Sequence, residues 1–160
     1  MSSNKFDRRR VQTADEDDID DIQRLYNHNQ IKKELHWYTY REGLERAVRK
    51  AGRDILFVEG GEECQVIAAS MVWCESRVLK PGQAQIRLIA VHPDYRESGL
   101  GAGLIKASED YAKESGKNIL IAETATSSDA KQFWLAMNFN IKSVRTTDGG
   151  REMALMEKDI

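Results

Sequence analysis

The sequence predicts an α/β fold: a mixed, mainly antiparallel sheet with one parallel β-loop-α-β crossover at its centre. Three observations predict it. Helix-like and strand-like hydrophobic periods alternate in the order βααβββαβαββ, glycine-marked reversals separate neighbouring strand patterns, and the apolar run IRLIAV leads through a long polar loop into a glycine-opened helix. With 160 residues, 41% hydrophobic and 31% charged, the chain from 1 to 160 fits one domain with a sizeable core.

Each element follows from its own pattern. A short strand is expected near Arg9–Gln12. In TADE, Thr13 reads as the N-cap of the first helix with Glu16 three residues on, and acidic residues crowd the first turn, where the helix dipole favours them. Ile19, Ile22, Leu25 and Tyr26 keep helical spacing through about Asn29. A second helix runs from Glu42 to about Ala51, with Leu44, Ala47, Val48 and Ala51 on one stripe. The stretch between them, IKKELHWYTY, reads as neither helix nor strand. DILFVE, the turn GGEE and CQVIAASMVWCE form a hairpin pattern. After a link containing Pro81 and Gly82 come the strand QIRLIAV and a helix from about Leu100 to Ser115, which Gly116 ends in the left-handed cap position. NILIAE is a strand, SSDAKQFWLAM a helix, and FNIKSV and REMALMEKD are the last two strands.

Composition excludes several classes. The formal charge of −2, from 24 basic and 26 acidic residues, gives no whole-protein field toward nucleic acid or anionic lipid. MSSNKFDRRR lacks the apolar core of a signal peptide and no run reaches membrane-spanning length, so a cytoplasmic protein without a membrane partner is expected. Cys64 and Cys74 lie too far apart along one extended segment to bridge, and read as reduced thiols. His28 and His36 have no ligand spacing with Cys or another His, so no metal is expected.

The segment HPDYRESGLGAGL, residues 92–104, carries the chemistry. It places glycines at 99, 101 and 103 where a helix begins after a buried-looking strand. A helix N-terminus offers unpaired amides and partial positive charge, and glycines let phosphate oxygens come close to them. A merely tight turn would use the same residues. A Walker A loop is excluded because no Gly-Lys-Ser/Thr follows. The Rossmann fingerprint is a closer rival, since Glu123 ends the next strand, but VHPDYRES separates strand from glycines and no further parallel repeats follow.

VHPDYRESGLGAGL resembles the signature of the GCN5-related N-acetyltransferase (GNAT) superfamily, with Arg96, Gly99 and Gly101 in the motif positions and Ala102 after them. Ala130, Phe133 and Phe139 in SSDAKQFWLAMNF match a second family block, and the element order agrees along nearly the whole chain. The resemblance implies an acyl-CoA N-acyltransferase fold with acetyl-CoA as co-substrate, bound where the strands Ile86–Val91 and Asn118–Glu123 splay apart. Backbone amides of Arg96, Glu97, Ser98, Gly99, Leu100, Gly101 and Ala102 would hold the pyrophosphate. Edge groups near Ile89, Ala90 and Val91 would pair with the peptide-like pantetheine arm, and a donor amide there would stabilise a developing oxyanion.

The sequence also departs from the family. Trp134, assigned to the cofactor channel, stands where a tyrosine often protonates the leaving thiolate, and Gln85 stands where some members carry a glutamate base. Ser127 replaces the usual Asn, and Asn138 the usual Gly before Phe139, an easy exchange because Asn tolerates a left-handed cap. Glu123 is the candidate base, acting through water; a salt-bridged strand-end acid is the plainer account. His92, before Pro93, reads as structural, while Tyr95 either packs the loop or touches cofactor. Trp37, Tyr38 and Tyr40, with His36, are the candidate acceptor-binding residues, as pocket walls or as staples between helices and sheet. The expected acceptor is the amine of a small molecule or peptide. Arg8–Arg10 with Lys32 and Lys33 keep open a nucleic-acid-modifying relative of the fold, Trp134 and Gln85 a non-catalytic module, and the resemblance a homodimer.

Overall fold

Seven strands form one sheet in the order β1-β2-β3-β4-β5-β7-β6 in the computed structural model, which describes residues 11–35, 37–61, 63–127 and 129–160. The strands are β1 (Val11–Thr13), β2 (Arg53–Gly60), β3 (Gln65–Trp73), β4 (Gln83–Val91), β5 (Ile119–Ala125), β6 (Asn140–Thr146) and β7 (Glu152–Asp159). β4 and β5 pair in parallel; the other neighbours are antiparallel. The part of the first expected strand at Arg9 and Arg10 lies outside the described residues.

The sheet is covered on both faces over β2, β3 and β4. On one face α1 (Ile19–Tyr26), α2 (Asn29–Leu35) and α3 (Arg41–Arg49) bury Ile19, Ile22, Tyr26 and Leu44 against Ile55, Phe57 and Met71. On the other, α4 (Leu100–Glu114) and α5 (Asp129–Ala136) bury Leu104, Ile105 and Trp134 against Leu56, Val58, Ile86 and Leu120. Alternate residues of β2 enter different cores, which is why DILFVE reads as a continuous apolar run rather than an alternating one. Every residue of the edge strand β6 is exposed.

Two expectations about the helices are corrected. The chain enters the first helix through Asp15, not Thr13: the Asp15 carboxylate accepts from the Asp17 amide at 2.9 Å, and the Asp18 carboxylate accepts from the Asp15 amide at 2.9 Å. Thr13 is still β1. The stretch assigned no structure contains α2, a helix of seven residues in which only Ile31 is buried. So short a helix gives no amphipathic signal; tertiary partners hold it. His28 Nδ1 accepts from the Gln30 amide at 3.2 Å at its start, and Glu34 is ion-paired near its end. Gly116 does cap α4 with φ +81°, and Asn138 takes φ +71° before Phe139.

Candidate active site

The parallel ladder between β4 and β5 is short. Gln83, Ala84 and Gln85 pair with Ile119, Leu120 and Ile121, and the register stops there although β4 runs on to Val91 and β5 to Ala125. A bulge in β4 explains the divergence. Met71 and Ala69 of β3 face Arg87 and Ala90, so Ser70 stands opposite both Leu88 and Ile89, and Leu88 takes φ +51°. An extra residue bends the bulged strand. Beyond Gln85 the β5-facing side of β4 is an open edge of the kind an extended amide-bearing chain can join. Ile89 lies at the bulge on this stretch, while Ala90 is paired with Ala69 of β3. Val91 lies further along it, and its carbonyl already accepts from Arg96 Nε at 3.0 Å.

The loop after β4 is shaped by its own hydrogen bonds. His92 Nδ1 accepts from the Asp94 amide at 3.1 Å and starts the turn Pro93–Tyr95, a structural role as expected. The Ser98 hydroxyl donates to the Tyr95 carbonyl. Tyr95 packs on the core, and its hydroxyl lies 3.0 Å from where Gly61 would carry a Cβ, so the ring props the loop against the β2–β3 turn. Glu97 (φ +63°) and Gly99 (φ +84°) both take the left-handed conformation. Gly99 is the N-cap of α4, and no side chain caps this 15-residue helix. The first-turn amides, at Leu100, Gly101 and Ala102, therefore end the helix without a capping oxygen. Amides in that arrangement, with the helix dipole behind them, can accept an anion. Gly101 has a second reason to lack a side chain, because a Cβ there would come within 3.1 Å of the Phe133 ring of α5.

Arg96 does not offer its side chain to a ligand. Its Nη1 and Nη2 donate to the two carboxylate oxygens of Glu34 at 2.9 and 2.6 Å, and Nε holds Val91. The guanidinium beside it holds the Glu34 carboxyl below its ordinary range. This rivet ties α2 to the loop, so what Arg96 has left for a phosphate is its backbone amide. Glu34 escaped the sequence reading because it lies 62 residues from Arg96, with no local pattern to link them.

The sheet face opposite α4 and α5 is open over β5, β7 and β6 and carries a cavity of about 260 Å³. Gln85, Ile121, Glu123, Arg145 and Leu155 are among its walls. Glu123 is ion-paired: Arg145 Nε and Nη2 donate to its oxygens at 2.9 and 3.4 Å. Gln85 is buried and its Oε1 has no hydrogen-bond partner. Neighbouring strands add a group that the sequence reading missed: Arg53 and Arg87 lie 3.6 and 4.1 Å from the centre of the Trp73 ring. Only strand register brings these three together; a lone arginine within IRLIAV was the available hint.

Trp134 is placed differently from its cofactor-channel assignment. It is 3% exposed and packs edge-to-face between Phe133 and Phe139, with centroids 5.4 and 4.9 Å away. Its indole fills the core beneath α5, buried among apolar side chains. Trp37, Tyr38 and Tyr40 are 57%, 47% and 63% exposed, so they do not staple helix to sheet. The connection is instead tied to the end of α1 by Thr39, whose carbonyl accepts from Gln23 and Asn27 and whose amide donates to Asn27. Lys32 lies over the Tyr38 ring. His36 and Arg8–Arg10 lie outside the described residues. Both cysteines are free, and no helix among the described residues is long and apolar enough to cross a membrane.

Known proteins share this architecture. The chain is 27% identical over 146 residues to an uncharacterized N-acetyltransferase of Methanocaldococcus jannaschii, covering 84% of the chain but only 62% of that relative's length. The structure of yncA from Salmonella typhimurium, solved with its cofactor acetyl-CoA, superposes with a TM-score of 0.74 at 18% identity, covering 93% of this chain and 92% of that one. Spermidine N-acetyltransferase from Vibrio cholerae, solved with CoA and spermine, superposes with a TM-score of 0.74 at 15% identity, covering 93% and 94%. Residues 17–139 match the acetyltransferase (GNAT) family, a span holding the bulged strand, the uncapped helix entrance and both signature blocks, and the chain belongs to that family.

Proposed function

We propose that this chain moves an acetyl group from acetyl-CoA to an amine by direct attack, in the cytoplasm. The observation that carries the reading is the pairing of an open β4 edge with an uncapped α4 N-terminus at one corner of the sheet. The amides of residues 96–102 would hold the pyrophosphate, and the β4 edge at Ile89 and Ala90 the pantetheine amides. The acceptor nitrogen forms its bond to the thioester carbonyl carbon, the carbon–sulfur bond breaks, the electron pair leaves with sulfur, and the nitrogen gives up a proton. Glu123, across the opening from β4, would take that proton through water, with Arg145 fixing the carboxylate.

Acetyl-CoA alone should raise the melting temperature, because a ligand that binds only the folded state stabilises it by about 2.7 kcal/mol at a hundred times its Kd. No rise at millimolar acetyl-CoA would sink the proposal. Thiol release with an amine panel then separates an enzyme from a binding module. Glu123→Gln is expected to lower kcat by about 100-fold, within the range of general-base catalysis. An unchanged kcat would remove Glu123 from the chemistry.

The Glu34–Arg96 rivet yields a further expectation. Because the folded-state pKa of Glu34 is lowered, the rivet is complete above the ordinary carboxylate value of about 4.3 and is lost as pH falls through the lower folded value. Glu34→Gln should weaken acetyl-CoA binding about fivefold, the worth of one solvent-accessible charged pair. It should also abolish the fall in affinity between pH 5 and 3 that calorimetry is expected to show, each of these pH values being about one unit from that ordinary value.

A further inference from the structure

Two guanidinium groups share one indole ring on the sheet face that also carries the cavity, and among the described residues neither has a carboxylate within ion-pairing distance. Register sets them there: Arg53 of β2 faces Trp73 of β3, Trp73 faces Gln85 of β4, and Arg87 follows two residues on, on the same sheet face. Arg53 Nε is satisfied by the Glu75 carbonyl at 3.3 Å, which supplies no charge. Arg87 is exposed yet loses hydration against the ring, and that loss with the repulsion of Arg53 works against its charge, outweighing the attraction of Glu123 across the divergence. Stacking on Trp73 offsets part of this cost but leaves two positive charges beside each other. An anionic group would relieve it.

The position of the pair in the opening says more. β4 and β5 last pair at Gln85 and Ile121, so two residues further along each strand Arg87 and Glu123 stand on opposite sides of the divergence, on the same face. Glu123 lines the cavity, and the guanidinium-bearing Arg87 stands across the divergence from it on β4. Between them, Gln85 lines the cavity with an amide oxygen that has no donor. A plain polyamine in the cavity would meet Glu123 but also the cations Arg145, Lys80 and Lys142, with Arg87 two residues beyond Gln85 on β4. A molecule with an amine at one end and a carboxylate at the other matches both sides of the divergence.

Accepting the acetyltransferase reading above, on which this rests, we propose that the acceptor is a free amino acid, its amine turned toward Glu123 and its carboxylate held by Arg87 with Arg53 behind it. Arginine suits the role because its planar fork meets both carboxylate oxygens at once.

The experiment pairs each amino acid with its decarboxylated amine, L-phenylalanine with phenethylamine and L-lysine with 1,5-diaminopentane, and adds peptides with free N-termini. CoA release and product mass are read for the wild-type chain and for Arg87→Met, Arg53→Met and Arg87→Lys. The wild-type protein should prefer an amino acid over its decarboxylated partner by about 10- to 100-fold in kcat/KM, the worth of hydrogen bonds to a charged group. Arg87→Met should lose most of that preference, chiefly through KM, Arg53→Met should lose part, and Arg87→Lys should retain part. Binding of acetyl-CoA by each variant, read by calorimetry, shows that it is folded. Equal or better use of the decarboxylated amines, acetylation of peptides but of no free amino acid, no acetylation of any acceptor, or an unchanged preference in a folded Arg87→Met would each overturn the inference. A wild-type chain that binds acetyl-CoA and acetylates only other amines overturns this inference alone; one that does not bind acetyl-CoA overturns the function itself.

Discussion

Replacing Gly99 by valine is expected to weaken acetyl-CoA binding by about 100-fold or more, because at least two amide–phosphate hydrogen bonds of charged type depend on it. The reason is backbone, not bulk alone. Gly99 holds φ at +84°, a conformation a β-branched residue adopts only under strain of about 1–3 kcal/mol. The variant relaxes by turning the Gly99–Gly101 amides away from their common direction, which dissolves the anion site while α4 still packs through Leu104 and Ile105. Gly99→Asn discriminates between two readings. Asn tolerates the left-handed region, so near-normal affinity would mean that the turn is what matters; a loss as large as valine's would mean that the phosphate needs the space itself. An unchanged Kd in Gly99→Val would contradict the loop assignment.

Trp134→Ala is expected to lower the stability of the fold by about 3–5 kcal/mol, the range for emptying a large aromatic site in a packed core. The indole is buried between Phe133 and Phe139 in the core cluster on the α4–α5 side of the sheet. Urea unfolding measures the loss directly. Trp134→Phe should recover most of it, and acetyl-CoA affinity of the folded fraction should stay within a few-fold of normal in both variants. A large loss of affinity with unchanged stability would return Trp134 to the cofactor channel, where the family resemblance first put it.

The contrast between these two residues shows what a single sequence can carry. Gly99 was legible because its conformation is a local demand, made by the residue at its own position. The same holds for Gly116 and Asn138, whose positive φ angles follow from ending a helix. Strand and helix order was legible because hydrophobic period is local too. Trp134 was not, because whether an indole on α5 turns inward or outward depends on how α5 seats against β5 and β7.

The features that make the site particular are nearly all of this second kind. The divergence of β4 from β5 depends on a bulge whose left-handed residue is Leu88, hidden within an apolar run where nothing but glycine would have announced it. The Glu34–Arg96 rivet joins α2, a helix too short to show a period, to a loop far along the chain. Arg53, Trp73 and Arg87 meet only through the register of three strands. The sequence suggests bare backbone at Gly101 for a phosphate, whereas the constraint visible in the structure is the Phe133 ring. The acidic run in TADEDD offered several capping carboxylates and one hydroxyl, and the choice of Asp15 over Thr13 was settled by β1 pairing with β2 through Thr13.

A crystal structure of the chain with CoA tests the central claim most directly. The account predicts pyrophosphate oxygens within about 3 Å, hydrogen-bond distance, of the amides of Gly99, Leu100, Gly101 and Ala102, with the pantetheine arm lying along β4 at Ile89 and Ala90. Diphosphate bound elsewhere on the sheet, with the α4 entrance facing only water and the strands drawn together past Gln85, would contradict it.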